Sequence, residues 1–240
     1  MKNSFDLTVI MPILLLDYHL YLMTLICIQN LRFVTYPYNF QLIIFHNVWK
    51  LHSLIKDDIC GENDIYIPLE KSEKVTKLYN QGIKMAKSEY ILLLGNDTLL
   101  QLNWFEYGKK ALDENKCDIF IPWLYKQPID YYSSLEKAKS NDYIYPVSFV
   151  DSGCACQLFT KKTYNDIGPF DENMPVWWDR EYKYRIDSIA HKRVASDLRC
   201  IATTFGPMTR NSENIGDYFN VDIHNLNDEN EYMKRKWGLK

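Results

Sequence analysis

Gly95-Asn96-Asp97-Thr98 follows directly on the apolar run Tyr90-Ile-Leu-Leu-Leu94. A carboxylate at the end of a buried strand is aimed into the crevice and not the core. Asp97 could there hold Mg²⁺ or Mn²⁺ against a substrate diphosphate and offset negative charge as the phosphate leaves. The same residues could also do no more than end the strand in an Asx turn. Both readings stand.

A second set of carboxylates lies later, at Asp171-Glu172 and in Trp177-Trp178-Asp179-Arg180-Glu181. The helix expected after it has Tyr182, Ile186, Ile189 and Ala190 on one face. Asp179 falls at its N-cap, where free amides and the helix dipole keep a carboxylate ionised and able to accept a proton from a substrate hydroxyl. Capping alone would also account for an Asp at that place. Trp177 and Trp178 could stack on the apolar face of a sugar ring, or could be core residues. Glu181 is close enough in sequence to share the role of base.

The elements that must position these groups are legible from periodicity. Leu7-Thr-Val-Ile-Met-Pro12 reads as a strand buried on both faces and stopped by proline, followed by a helix over 17–30. Phe40 to Phe45 is a second strand, ending at His46-Asn47, and Ile65 to Ile67 a weaker third. Ser72 caps a helix with Val75, Leu78, Tyr79, Gly82, Ile83 and Ala86 on one face, which leads into the strand before Asp97. Asn103 and Glu106 suggest a capping box, and Asp118 to Ile121 returns as a strand. Strands alternating with helices imply a parallel sheet with ligands beyond the carboxyl ends of the strands, an edge that holds Pro12, His46, Asn47, Asn96 and Asp97.

The second half is less regular. It suggests a long connection over 126–146 with a short helix at Ser134 to Lys139, strands at Val147 to Val150 and Cys154 to Phe159, and a turn at Gly168-Pro169. A helix over 179–191 and a strand at Cys200 to Ala202 follow.

Composition narrows the function. The 240 residues are 47% hydrophobic and 25% charged, enough for one folded α/β domain over 1–240. With 28 basic against 31 acidic residues there is no basic stripe, so nucleic acid is disfavoured as a partner. The six cysteines form no CxxC pair and read as free, mostly buried thiols in a reducing compartment. Asp17 and His19 interrupt the apolar stretch from Leu7 to Ile28, so no membrane span is expected.

Taken together, these segments resemble the GT-A glycosyltransferases of family 2. Thr8-Val-Ile-Met-Pro12 looks like the family's opening strand, and Phe40 to Asn47 like its second, nucleotide-binding strand. Lys77-Leu-Tyr-Asn80-Gln-Gly82 through Leu94 is similar to its Asn-x-Gly helix and the strand that runs into the metal motif. Gly153 to Thr160, Ile167-Gly-Pro-Phe-Asp-Glu172 and Trp178-Asp179-Arg180-Glu181 with Arg185 follow in the family's order.

The resemblance implies a Rossmann-like, mostly parallel central sheet flanked by helices. A nucleotide-sugar-binding half over 1–100 would be joined to a smaller, mixed acceptor half over 101–240. It also implies inverting transfer from a nucleotide-sugar donor to a glycan, lipid-linked or protein-linked acceptor, assisted by a divalent cation on Asp97. Pro12, His46, Asn47, Asn80, Gly82, Asn96 and Asp97 would meet the donor, Gly153, Trp177 and Trp178 the acceptor, and Asp179 or Glu181 the acceptor's proton.

The sequence departs from the family pattern at Leu15, at His46 in place of an acidic residue, at Gly95, and at Thr204, which aligns with a late metal-binding histidine. These departures motivate a second reading, a GT-A-like domain that binds a glycan or nucleotide without turnover. A transferase domain without an anchor leads to the expectation of a cytoplasmic setting.

Overall fold

The computed structural model describes residues 5–15, 18–49, 52–124, 143–152, 156–174, 178–204 and 227–238. Strand β1 (Leu7–Leu15) leads to helix α1 (Tyr18–Thr35), β2 (Phe40–Trp49), α2 (His52–Ile59), β3 (Ile65–Leu69), α3 (Val75–Met85) and β4 (Tyr90–Leu94). Then come β5 (Thr98–Leu100), α4 (Trp104–Asp113), β6 (Ile119–Phe120), β7 (Trp123–Leu124), β8 (Ile144–Pro146), β9 (Cys156–Thr160) and α5 (Lys161–Ile167). The remaining elements are α6 (Trp178–Tyr184), which continues as a π-helical turn over Arg185–Ile189, β10 (Val194–Asp197), β11 (Ile201–Thr204) and α7 (Asn227–Trp237).

Eight strands form one sheet in the order β3-β2-β1-β4-β9-β6-β10-β8, and a small second sheet has the order β5-β11-β7. Neighbours β3, β2, β1 and β4 are parallel. β9 runs antiparallel between β4 and β6, and β8 antiparallel beside β10. The large sheet is thus mostly parallel, with β8 and β9 the reversed strands.

Alternate side chains divide the core. Leu7, Val9, Met11, Ile13 and Leu15 of β1, with Leu92 and Leu94 of β4, pack on α1 and α4. Ile10, Ile91 and Leu93 face the other layer, which contains Leu78, Tyr79 and Ile83 of α3 and Trp178 and Tyr182 of α6. Gly82 lets α3 sit close: a Cβ there would stand 2.7 Å from Ile10 Cγ2. That is inside any real carbon–carbon contact.

Several expected boundaries move. β1 does not stop at Pro12 but runs to Leu15. β4 pairs it only as far as Ile10, so the proline lies where β1 has β2 alone beside it. β2 likewise passes His46 and Asn47 to reach Trp49. Ser72 is not the cap of α3: Lys74 holds that place without a side-chain bond. Asn103 does precede α4, but in the left-handed region at φ 65° and without a capping bond. Where a strand was expected over 147–150, the chain forms a 3₁₀ turn at Phe149–Ser152. The expected helix at Ser134 to Lys139 lies outside the described residues.

α1 has an outward stripe without charge. Tyr18, Leu22, Ile26 and Phe33 are exposed, and 100° per residue places them within one arc of about 100°. No helix among the described residues is long and apolar enough to cross a membrane.

Candidate active site

β4 delivers Gly95 to Thr98 at its carboxyl end and turns directly into β5. Asn96 is buried, and its Nδ2 donates to Thr24 Oγ1 at 2.8 Å, which pins the turn to α1. Asp97 remains partly exposed beside it. Its charge reaches the core side of α1, where burial first and Asp97 second push the Cys27 thiol up to about 12. β11 pairs antiparallel with β5 so that Thr204 stands opposite Thr98. The position that the resemblance aligns with a late histidine is therefore paired with the residue after Asp97 and carries a hydroxyl.

The second carboxylate group gathers around the turn that follows Gly168, whose φ of 91° suits only glycine. α6 begins at Trp178, so Asp179 is not the N-cap expected from sequence but a first-turn residue. It is partly exposed, and its Oδ1 accepts from the Arg180 amide at 2.9 Å.

Glu181 is different. It is fully buried, with Oε2 receiving Arg185 Nη2 at 2.8 Å and Nε at 3.2 Å, and Oε1 receiving Lys236 Nζ at 2.8 Å. A carboxylate shared between two cations has no access to an acceptor hydroxyl, which removes Glu181 as base in this arrangement.

Other candidates also turn out to be structural. The Asn80 amide is saturated: Nδ2 donates to Phe170 O and Glu172 Oε1, both at 2.9 Å, while Oδ1 accepts from Tyr164 Oη at 2.8 Å and from Phe170 N at 2.9 Å. It holds the acidic turn against α3 and has no polar atom left for a donor. Asn47 exchanges two 2.9 Å bonds with the backbone of Glu73, tying β2 to the approach to α3. His46 is fully buried, with Nδ1 2.5 Å from Tyr66 Oη, so its ring is covered from any base.

Gly82 serves the packing of α3 on Ile10. Trp178 is a core residue, 5.6 Å from the Tyr79 ring and 5.4 Å from the Phe170 ring, and not an exposed platform. Pro12 remains partly exposed within β1. Trp177 and Gly153 lie outside the described residues.

Trp178 also ties α6 to α3. Tyr79 lies early in α3, which starts from the carboxyl end of β3. Its contact with Trp178 therefore sets the start of α6 toward the sheet edge that carries Asp97.

Sequence reasoning named Arg185 only as part of the motif order and missed Lys74, Tyr232 and Lys236, which also hold the acidic turn. Arg185 Nη1 donates to Pro169 O at 2.7 Å, Lys74 Nζ to Glu172 O at 3.0 Å, and Tyr232 Oη and Lys236 Nζ to Asp171 Oδ2 at 2.8 and 2.7 Å. The i, i+4 spacing of Glu181 and Arg185 was a readable signal. The spacing of Tyr232 and Lys236 was readable too, but nothing local names a partner some sixty residues away.

Residues 57–153 match the family model described as "Glycosyl transferase family 2". The crystal structure of GalNAc-T7 with UDP, GalNAc and Mn²⁺ superposes at a TM-score of 0.63 and 10% identity, covering 85% of this chain and 44% of that one. The chain has the GT-A fold, and its segment 57–153 is similar to family 2 glycosyltransferases. The match to family 2 is narrower than the motif resemblance, beginning after β2 and stopping before the acidic turn. The chain spans less than half of GalNAc-T7, and at that identity the likeness is one of fold. No curated protein matches this sequence.

The similarity to family 2 raises the question of a divalent cation. Among the described residues no three His, Cys, Asp or Glu side chains come together as a metal cluster. Asp97, partly exposed at the strand end, fits a hard cation held mainly by diphosphate oxygens and water.

Proposed function

We propose that this domain transfers a sugar from a nucleotide-sugar donor to a hydroxyl of a glycan, lipid-linked or protein-linked acceptor, with inversion. The observation that carries the reading is selective exposure: Asp97 and Asp179 stay partly exposed while the polar atoms of Asn47, Asn80 and Glu181 are consumed by structural bonds. The crystal structure of GalNAc-T7 with UDP and Mn²⁺, on the same fold, supports a donor of nucleoside diphosphate type.

Asp179 accepts the proton of the acceptor hydroxyl. The oxygen then forms a bond to the anomeric carbon from the face opposite the diphosphate, and the anomeric carbon–oxygen bond breaks with its electron pair leaving on the nucleoside diphosphate. Asp97 is the residue that would hold Mn²⁺ or Mg²⁺, which when bound offsets the charge developing on that leaving group.

A binding domain without turnover is the second reading, favoured by His46, which replaces an acidic residue and is fully covered. Incubation with a panel of nucleotide sugars, Mn²⁺ and hydroxyl acceptors separates the two. Release of nucleoside diphosphate from one donor supports transfer. A folded sample that binds a nucleotide but releases nothing from any donor would establish the binding domain.

A further inference from the structure

The acidic turn and α6 together bury two carboxylates. Asp171 has a side chain only 8% exposed and Glu181 one that is 0% exposed. One cation of their own region, Arg185, reaches Glu181 and the turn's backbone, so the pair is left one positive charge short. α7 supplies it. Lys236 Nζ bridges Asp171 Oδ2 at 2.7 Å and Glu181 Oε1 at 2.8 Å, and Tyr232, one helical turn earlier on the same face, adds its hydroxyl to Asp171 at 2.8 Å. Trp237 sets its ring 5.2 Å from Tyr184 at the end of α6, and Tyr232 and Met233 pack on the same core layer as Trp178 and Tyr182.

α6 is thus anchored at Glu181, two residues beyond Asp179, by Arg185 one turn later on the same helix and by Lys236 from α7. We infer that α7 completes the active site and that Lys236 is a positioning residue, fixing the helix that carries Asp179 against the acidic turn. The inference rests on the reading of Asp179 as base and deepens it. Lys236 touches no substrate; it acts through Glu181. Without it Glu181 Oε1 is a buried, uncompensated oxygen, and the first turn of α6 must shift to rehydrate it. A displacement of about 1 Å at a base is enough to lower the chemical step by about a hundredfold while leaving donor binding alone.

The test compares steady-state transfer by the full chain as wild type, Lys236→Met, Lys236→Arg and Asp179→Asn, at a temperature where each is folded by circular dichroism. The expected result is a kcat at least tenfold lower in Lys236→Met with donor KM within twofold of wild type, and substantial recovery in Lys236→Arg, which keeps the charge. Wild-type kcat in Lys236→Met beside an inactive Asp179→Asn overturns the inference and leaves the base in place. An active Asp179→Asn overturns the base assignment and this inference with it.

Should Lys236→Met fail to fold, the double variant Glu181→Gln with Lys236→Met removes both charges and no longer strands one. Its kcat is expected to stay low because the bridge is gone. Wild-type kcat in the double variant would equally overturn the inference.

Discussion

Asp97 and Asn80 stand at the extremes of what a polar side chain does in this domain. Asp97 is partly exposed at a strand end, so Asp97→Asn should leave the fold intact and abolish the Mn²⁺-dependent part of nucleotide affinity. Calorimetry of the nucleoside diphosphate with and without Mn²⁺ checks this, and equal cation dependence in both proteins removes Asp97 as the ligand. Asn80 is 3% exposed and makes four bonds to groups up to 92 residues away. Asn80→Ala leaves the Tyr164 hydroxyl and the Phe170 amide without their acceptor. It should cost about 2–4 kcal/mol, read as a lower urea midpoint.

The contrast shows what was legible at this scale. Asn80 and Gly82 were found as a motif, but a motif marks a position without saying whether its side chain faces a ligand or the protein. For Asn80 the answer lies in Tyr164, Phe170 and Glu172, which no local pattern connects to α3. For Gly82 it lies in the contact with Ile10, which appears only once the helix is laid on the sheet. Among the described residues Cys27, Cys117, Cys156 and Cys200 are the buried thiols expected and Cys60 is half-buried; burial pushes Cys27 and Cys117 up to about 12, so neither is a nucleophile near neutral pH.

At the scale of elements, the acidic turn and α7 form a clamp with a pH window. Burial by itself raises the Asp171 carboxyl, but Lys236, the Asn173 amide and Tyr232 outweigh it and hold the group below its usual 3.8. Burial lowers the Lys236 ammonium, and hydrogen bonds with Asp171 and Glu181 outweigh that and hold it above its usual 10.5. The depressed carboxyl stabilises the fold above its unfolded value, and this contribution is lost as pH falls through the folded one. The raised ammonium stabilises below its unfolded value and is lost as pH rises through the folded one.

Glu181, Arg185, Glu172 and Lys74 are the other charged groups at the clamp, with the Tyr232 phenol raised by burial and by Asp171. The stabilising difference between wild type and Lys236→Met, measured as urea midpoints, should therefore be level between about pH 5 and 9 and shrink on acidification below about pH 4. A difference that persists unchanged down to pH 2 contradicts the ion pairing. Helices such as α3 and strands such as β4 were legible because their apolar spacing repeats over a long enough run. β5, β7 and β8 are three residues or shorter, too short for any period to register.

For the whole molecule, the parallel block β3-β2-β1-β4 could be read from alternating strands and helices, whereas β9 could not. Nothing in its sequence tells that it lies antiparallel between β4 and β6, joining the parallel block to β6, β10 and β8. The two-layer arrangement makes its own prediction on α1, whose inner and outer faces are both apolar. Leu31 is 0% exposed and Phe33 71% exposed. Leu31→Ala should cost about 2–5 kcal/mol. Phe33→Glu should stay within about 0.5 kcal/mol. Thermal denaturation of both variants checks the orientation of the helix, and a large loss in Phe33→Glu would mean that its face is covered.

The account depends most on Asp179, since Glu181 beside it is fully buried between Arg185 and Lys236. The decisive measurement is the transfer rate of Asp179→Asn and Glu181→Gln side by side, with donor affinity determined for each. Asp179→Asn keeps size and polarity but cannot accept a proton, so its transfer should fall by about two to four orders of magnitude with donor affinity unchanged. Glu181→Gln weakens the bridge to Lys236, so it should lower stability and reduce transfer by about tenfold, well short of the loss in Asp179→Asn. Near-wild-type transfer in Asp179→Asn together with abolished transfer in a folded Glu181→Gln would contradict the account and move the proton to the buried carboxylate.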